Sequence, residues 1–186
     1  MPILGILASS TAVAAGSFES IATVTVGSGG SSSVEFTSIP STYTHLQIRG
    51  ISRSNRSLGT DSYFVTVNSD AGSNYAYHAL RGNGSVADAF SGTSQTSMLF
   101  LQQAGGNAGS NVFGVIVLDV LDYTNTNKYK TFRTLGGIDD NGSGNIGLTS
   151  GLWMSTNSIS SIKLVSNSGN NFQQYSSFAL YGIKSA

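Results

Sequence analysis

The side chains able to do chemistry in this chain are few, and their spacing argues against most of it. His45 and His78 are the only histidines. A Ser-His-Asp triad needs one of them beside a buried carboxylate and a nucleophile on a strained turn, and no Gly-x-Ser-x-Gly elbow occurs. Zinc is poorly served too, since there is no cysteine and no His-x-His or His-x-x-x-His spacing. Asp119 and Asp122 are the carboxylates beside the most apolar stretch, and paired carboxylates serve glycoside hydrolysis. Three positions apart on a strand they face opposite ways, so the expectation is that they end a strand at a turn. Asp139, Asn141, Ser143 and Gly144 match the first half of a calcium loop. Position 12 of that loop is Ser150, where a bidentate Glu is required. Asn141-Gly142 is also a strong hairpin signal, so a plain turn is expected and calcium is left open. Gly142-Ser-Gly144-Asn-Ile-Gly147 fits the dinucleotide fingerprint in letters only, because Asp139 and Asp140 precede it and would repel phosphate.

Aromatic side chains are the remaining candidates. Trp153 with Tyr75 and Tyr77 would suit a sugar-stacking surface, the glycan contact of an adhesin or receptor-binding domain. Strand aromatics more commonly serve core or interface, where the ring buries area and the polar tip finds a partner. No catalytic residue, metal site or cofactor is expected, and the chain reads as a non-enzyme.

Composition narrows the classes further. At 186 residues the chain fits one domain able to bury a core without staples. With no cysteine, disulfides and thiolate chemistry are excluded. Charged residues are 10% of the chain against a typical ~25%, and the net charge is +0, so the polar surface is Ser, Thr, Asn, Gln and backbone. Such a surface has little colloidal repulsion and suits a fixed place in an assembly. The scattered lysines and arginines form no footprint for nucleic acid. No apolar run approaches the ~20 residues of a membrane span.

The elements that must position these residues are strands. Val112–Tyr123 is the organising stretch. Val112, Ile116, Leu118 and Val120 share one face, and Phe113, Val115, Val117 and Leu121 the other. Both faces are apolar, which predicts a central strand buried on two sides. The second face would then be covered by another segment or subunit, and is the expected oligomer face. Tyr43–Ile51 alternates cleanly, with Leu46 and Ile48 inward and His45, Gln47 and Arg49 outward. Tyr63, Val65 and Val67 predict an inner face, and Phe18–Val26 places Phe18, Ala22, Val24 and Val26 together. Asp139–Gly147 reads as a turn, and the stretch after Gly82 up to Thr96 has no clear pattern. Nine or ten short strands, with turn signals every 8 to 15 residues, predict an all-β protein: a single antiparallel β-sandwich, jelly-roll-like.

Residues 1–17 carry no charge and open Met1-Pro-Ile-Leu-Gly-Ile-Leu-Ala. A secretory signal wants a basic n-region, and the first basic residue is Arg49. The expectation is an anchoring arm over 1–17, with Ile3, Leu4, Ile6 and Leu7 as its contacts, followed by a sandwich domain over 18–186.

Met1-Pro-Ile-Leu-Gly-Ile-Leu-Ala-Ser-Ser, Phe18-Glu-Ser-Ile-Ala-Thr-Val-Thr-Val-Gly-Ser-Gly-Gly, Ile39-Pro-Ser-Thr-Tyr-Thr-His-Leu, Leu121-Asp-Tyr followed by Asn127-Lys-Tyr-Lys, and Ser177-Phe-Ala-Leu-Tyr-Gly-Ile-Lys stand in this order along the chain. Together they resemble a family of small proteins encoded by tailed bacteriophages. The resemblance implies a virion structural or tail-associated protein, with no active site to carry over. The expected partners are major capsid or tail proteins and the chain itself as a homotrimer or other homo-oligomer. A host surface glycan is the alternative partner, and neither nucleic acid nor membrane is expected. The implied location is the virion, assembled in the host cytoplasm, as a capsid decoration or tail-tip component.

Overall fold

A computed structural model describes residues 17–184. The expected arm, Ile3, Leu4, Ile6 and Leu7 included, lies outside the described residues. In chain order the strands are β1 (Phe18–Thr25), β2 (Ser33–Phe36), β3 (His45–Ser52), β4 (Thr60–Val67), β5 (Tyr75–Gly82) and β6 (Ala87–Gln95). Then follow β7 (Met98–Ala104), β8 (Gly114–Leu121), β9 (Lys130–Asp139), β10 (Gly144–Trp153), β11 (Ile162–Ser166) and β12 (Ser177–Ile183). The only helical turn among the described residues is a 3-10 turn at Asn167–Gly169.

The strands make two antiparallel sheets, ordered β1-β12-β3-β8-β9-β10-β5-β6 and β2-β11-β4-β7. The pairing is nested: β1 with β12, β2 with β11, β3 with β8 and β4 with β7. Two hairpins, β5–β6 and β9–β10, are added to this plan and widen the larger sheet. The sheets enclose a main core to which the alternating residues of β3, β4, β8 and β12 contribute, and Ala104, Ala108 and Ile138 form a small second cluster. Leu46, Ile48, Tyr63, Val65, Val67, Ile116, Leu118, Val120, Phe178 and Leu180 are all buried. The expected β-sandwich is therefore observed.

Two local expectations differ, and one strand departs from ordinary patterning. Phe18 does not share a face with Ala22 and Val24, because the register shifts between Ser20 and Ala22 and reverses the parity. Phe18 instead lies outside, stacked on Tyr181 with centroids 4.8 Å apart. The Asp139–Gly147 turn shrinks to Asp140–Ser143, closed by the Asp140 N–H donating to the Ser143 carbonyl at 2.7 Å. Asn141 and Gly142 both take positive φ there, as a two-residue hairpin turn requires. Finally, β10 inverts the usual pattern. Gly147, Thr149 and Gly151 face inward while Ile146 and Leu148 face out. A Cβ on Gly151 would come within 2.9 Å of Met98 Sδ and 3.0 Å of Phe100 Cζ, so β7 fills that space and leaves room only for small residues beneath it.

Of the segments quoted for the resemblance, the four that fall among the described residues touch one another. Glu19 accepts from Tyr43 at 3.0 Å and from Lys184 at 2.9 Å. The Tyr43 ring lies where a Gly182 Cβ would be, 2.3 to 2.4 Å away, so that site accepts only glycine. Tyr123 donates to the Pro40 carbonyl, and Asp122 pairs with Lys128. Lys130 is buried and donates to the carbonyls of Asn125, Lys128 and Thr156 at 2.5 to 3.0 Å. Desolvation, and then the nearby Lys128 charge, hold its amine below the usual lysine range.

Candidate functional site

The second face of Val112–Tyr123 is the largest departure from expectation and the best candidate site. It was expected to be buried; among the described residues nothing covers it. Val115 is 53% exposed, Val117 37% and Leu121 47%, while Phe113 is half-buried. An uncovered face removes the argument for assembly that two-sided burial would have given; the extent of the face is a separate observation. Antiparallel register sets Val117 opposite Leu135, Leu135 opposite Leu148, and Leu148 opposite Leu80. One row further along, Ile51, Val115, Gly137, Ile146 and Gly82 follow each other across five strands. The patch thus joins β3, β8, β9, β10 and β5. Ile51, Leu80, Leu135, Ile146 and Leu148 belong to it and were not singled out in the sequence. Their signal was present as apolar residues two apart in Ile146-Gly-Leu148, which ordinary patterning assigns to the inside.

A polar row borders the patch. Asp119 accepts from Arg133 at 2.9 Å and from Gln47 at 2.8 Å, and Gln47 accepts from Arg49 at 2.8 Å. The Arg49 guanidinium sits 5.2 Å over the Phe18 ring and 5.8 Å over Tyr181. Arg133 and Asp119 are thus paired within the chain, and Arg49 is held by Gln47 and the two rings. Two open apolar grooves run between the side chains. One, of ≈ 800 Å3, is lined by Phe113, Val115, Leu135, Gly137 and Ile146. The other, of ≈ 600 Å3, lies between Leu80, Phe90, Leu121 and Leu148.

The wall carrying Phe113 is held by a single cation. Arg53 donates to four backbone carbonyls: Gly109 at 2.6 Å, Val112 at 3.1 Å, Gly106 at 2.9 Å and Ala108 at 2.8 Å. The Asp140 carboxylate takes the Gly109 N–H at 3.0 Å, which ties this loop to the β9–β10 hairpin.

The glycan candidates do not form a platform. Trp153 and Tyr75 are buried, and Tyr77 is half-buried. The Trp153 indole donates to Asp70 at 2.7 Å, and the Tyr75 hydroxyl sits between the Val67 and Asp70 backbones. The polar tips found partners from the Asn68–Asn74 loop, which lets both rings join the core. That corrects the expectation that Trp153 and Tyr75 meet a sugar.

The chemistry-bearing residues are dispersed. His45 Nδ1 accepts the Asp122 N–H at 3.0 Å and lies 3.4 Å from its carboxylate. Asp119 and Asp122 do not both end the strand as expected: Asp119 lies within β8 on its outer face, and only Asp122 follows the strand end, with a positive φ. Asp139, Asn141 and Ser143 belong to the tight hairpin, where Asp139 accepts the Asn141 N–H at 2.9 Å. Among the described residues no three of His, Asp and Glu cluster as metal ligands. A buried polar group does exist: Asp61 accepts from Ser54 at 2.7 Å, Ser166 at 2.6 Å and Arg56 at 3.1 Å. It continues through Gln103 and Ser52 to Tyr63, whose phenol burial pushes well above the ordinary range. The group ties β3, β4, β7 and β11 together and opens to none of the grooves described above.

Comparison with protein-family models, with curated proteins and with solved structures returns no match.

Proposed function

We propose that this protein is a non-enzymatic structural subunit of a tailed-bacteriophage virion, a capsid decoration or tail-tip component. Its eight nested strands are read as a jelly roll, since β1·β12, β2·β11, β3·β8 and β4·β7 are the pairs made by rolling one long antiparallel hairpin. The observation that carries the reading is the outer sheet face. A soluble monomer rarely shows a contiguous apolar patch of more than a few hundred Å2, and larger ones mark interaction surfaces. Here eight large aliphatic side chains from five strands stand exposed on one face. The low charge and zero net charge agree with a subunit that lives among neighbours. The resemblance of the quoted segments supplies the particle: a virion assembled in the host cytoplasm, with capsid or tail proteins and the chain itself as partners.

In this reading the uncharged segment 1–17 anchors the subunit. Removal of residues 2–17 is expected to reduce incorporation into particles severely while leaving the circular-dichroism spectrum of the sandwich unchanged. Undiminished incorporation would sink the anchoring role.

A further inference from the structure

The outer face has relief as well as apolar character. Val117, Leu135, Leu148 and Leu80 stand side by side across four strands as a ridge. In the adjacent row Val115, Gly137, Ile146 and Gly82 alternate a branched side chain with glycine, so that row is notched. Packing does not force either glycine. A Cβ on Gly82 would come no nearer than 3.8 Å to Ile146, and one on Gly137 would lie 3.4 Å from the Asn145 carbonyl oxygen. Neither has a positive φ. The notches open the ≈ 800 Å3 groove.

We infer that this face mates with a second copy of the same chain, the aliphatic ridge of one copy seated in the notched row of the next. The inference rests on the assembly reading above and names the partner of that surface. Ridge and notches are cut on the same lattice, with strands ~4.8 Å apart, so every second ridge side chain meets the notch spacing. Matching pitch follows automatically when both partners are this sheet. The eight exposed aliphatic side chains amount to roughly 700 Å2, close to the ~800 Å2 that each partner contributes to a standard stable interface. Charge points the same way. Arg49, Arg133, Asp119 and Asp139 on this face sum to zero, so an identical surface is not repelled and no oppositely charged partner is called for. Arg133 and Asp119 enter the contact already paired.

Sedimentation velocity on the full chain, up to about 100 μM, tests the inference. The wild type is expected to sediment as two or more copies. Leu135→Asp with Leu148→Asp, both at half-exposed sites, is expected to give a single folded chain with an unchanged circular-dichroism melt. Gly82→Val with Gly137→Val fills the notches and is expected to weaken association at least about tenfold. A wild type that stays single, or face variants that associate as well as wild type, overturns the inference. Loss of association on removing residues 2–17 overturns it too, since the arm would then be the cover. A single chain that still enters particles overturns the copy-to-copy contact and leaves the virion reading standing. Association that persists in a chain excluded from particles supports the contact and removes the virion reading.

Discussion

Asp70 shows how one loop residue decides the fate of an aromatic. Its carboxylate accepts from the Trp153 indole at 2.7 Å and from the Asn74 amide at 2.9 Å. These bonds, the indole's first, hold its carboxyl below the ordinary value of 3.8. Because the folded pKa is depressed, the stabilisation is present above about pH 4 and is lost as pH falls through the folded value. Trp153 is the only tryptophan, so its fluorescence reads the bond directly. An acid titration of the folded protein is expected to show a tryptophan transition with a midpoint below 3.8. In Asp70→Asn that transition is expected to vanish. A transition that survives the substitution would assign it to another group. The same bond explains why Trp153 is no sugar platform: once the indole N–H has a partner inside, burying the ring costs nothing polar.

At the scale of elements, legibility followed alternation. β3 and β4 could be read because their buried apolar side chains fall on one parity. β8 is apolar on both, so its inward Ile116, Leu118 and Val120 were named but its other face was wrongly expected to be buried too. β6 could not be read, since Ala87–Gln95 has no fully buried position and so nothing to pattern. β10 carries the opposite arrangement: its inner face is glycine and threonine, pressed under Met98 and Phe100, while its leucine and isoleucine look outward. The exposed patch was half visible for the same cause. Val115, Val117 and Leu121 were found on β8, but Leu135, Ile146 and Leu148 carry no marker that separates an interface residue from a core one. The loop that carries Phe113 was invisible as structure, because Arg53 reaches it from over fifty residues away. Arg53→Lys keeps the charge but loses the planar fork that serves four carbonyls at once. The variant is expected to fold, with amide exchange and proteolysis accelerating at 105–113 and nowhere in β3 or β8. Equal acceleration across the sheet would mean that the cation supports the whole fold.

For the molecule as a whole, the nested plan makes the last strand as necessary as the first. β12 lies between β1 and β3 in the larger sheet and brings Phe178 and Leu180 into the core. Pairs such as Phe18 with Ile183 join the two ends of the described chain, so the loop-closure entropy is large and folding is expected in the slow range of β-sandwiches. Removing residues 177–186 leaves β1 without its partner, exposes the outer edge of β3, and deletes two fully buried side chains, each worth about 3 kcal/mol or more on truncation. That loss is of the size of a whole domain's stability. The shortened chain is expected to show no cooperative melt by circular dichroism, in contrast to the chain lacking residues 2–17, whose sandwich strands are all retained. A cooperative melt in the C-terminal truncation would mean that the inserted hairpins and the smaller sheet suffice, and that the nested pairing is not what holds the fold.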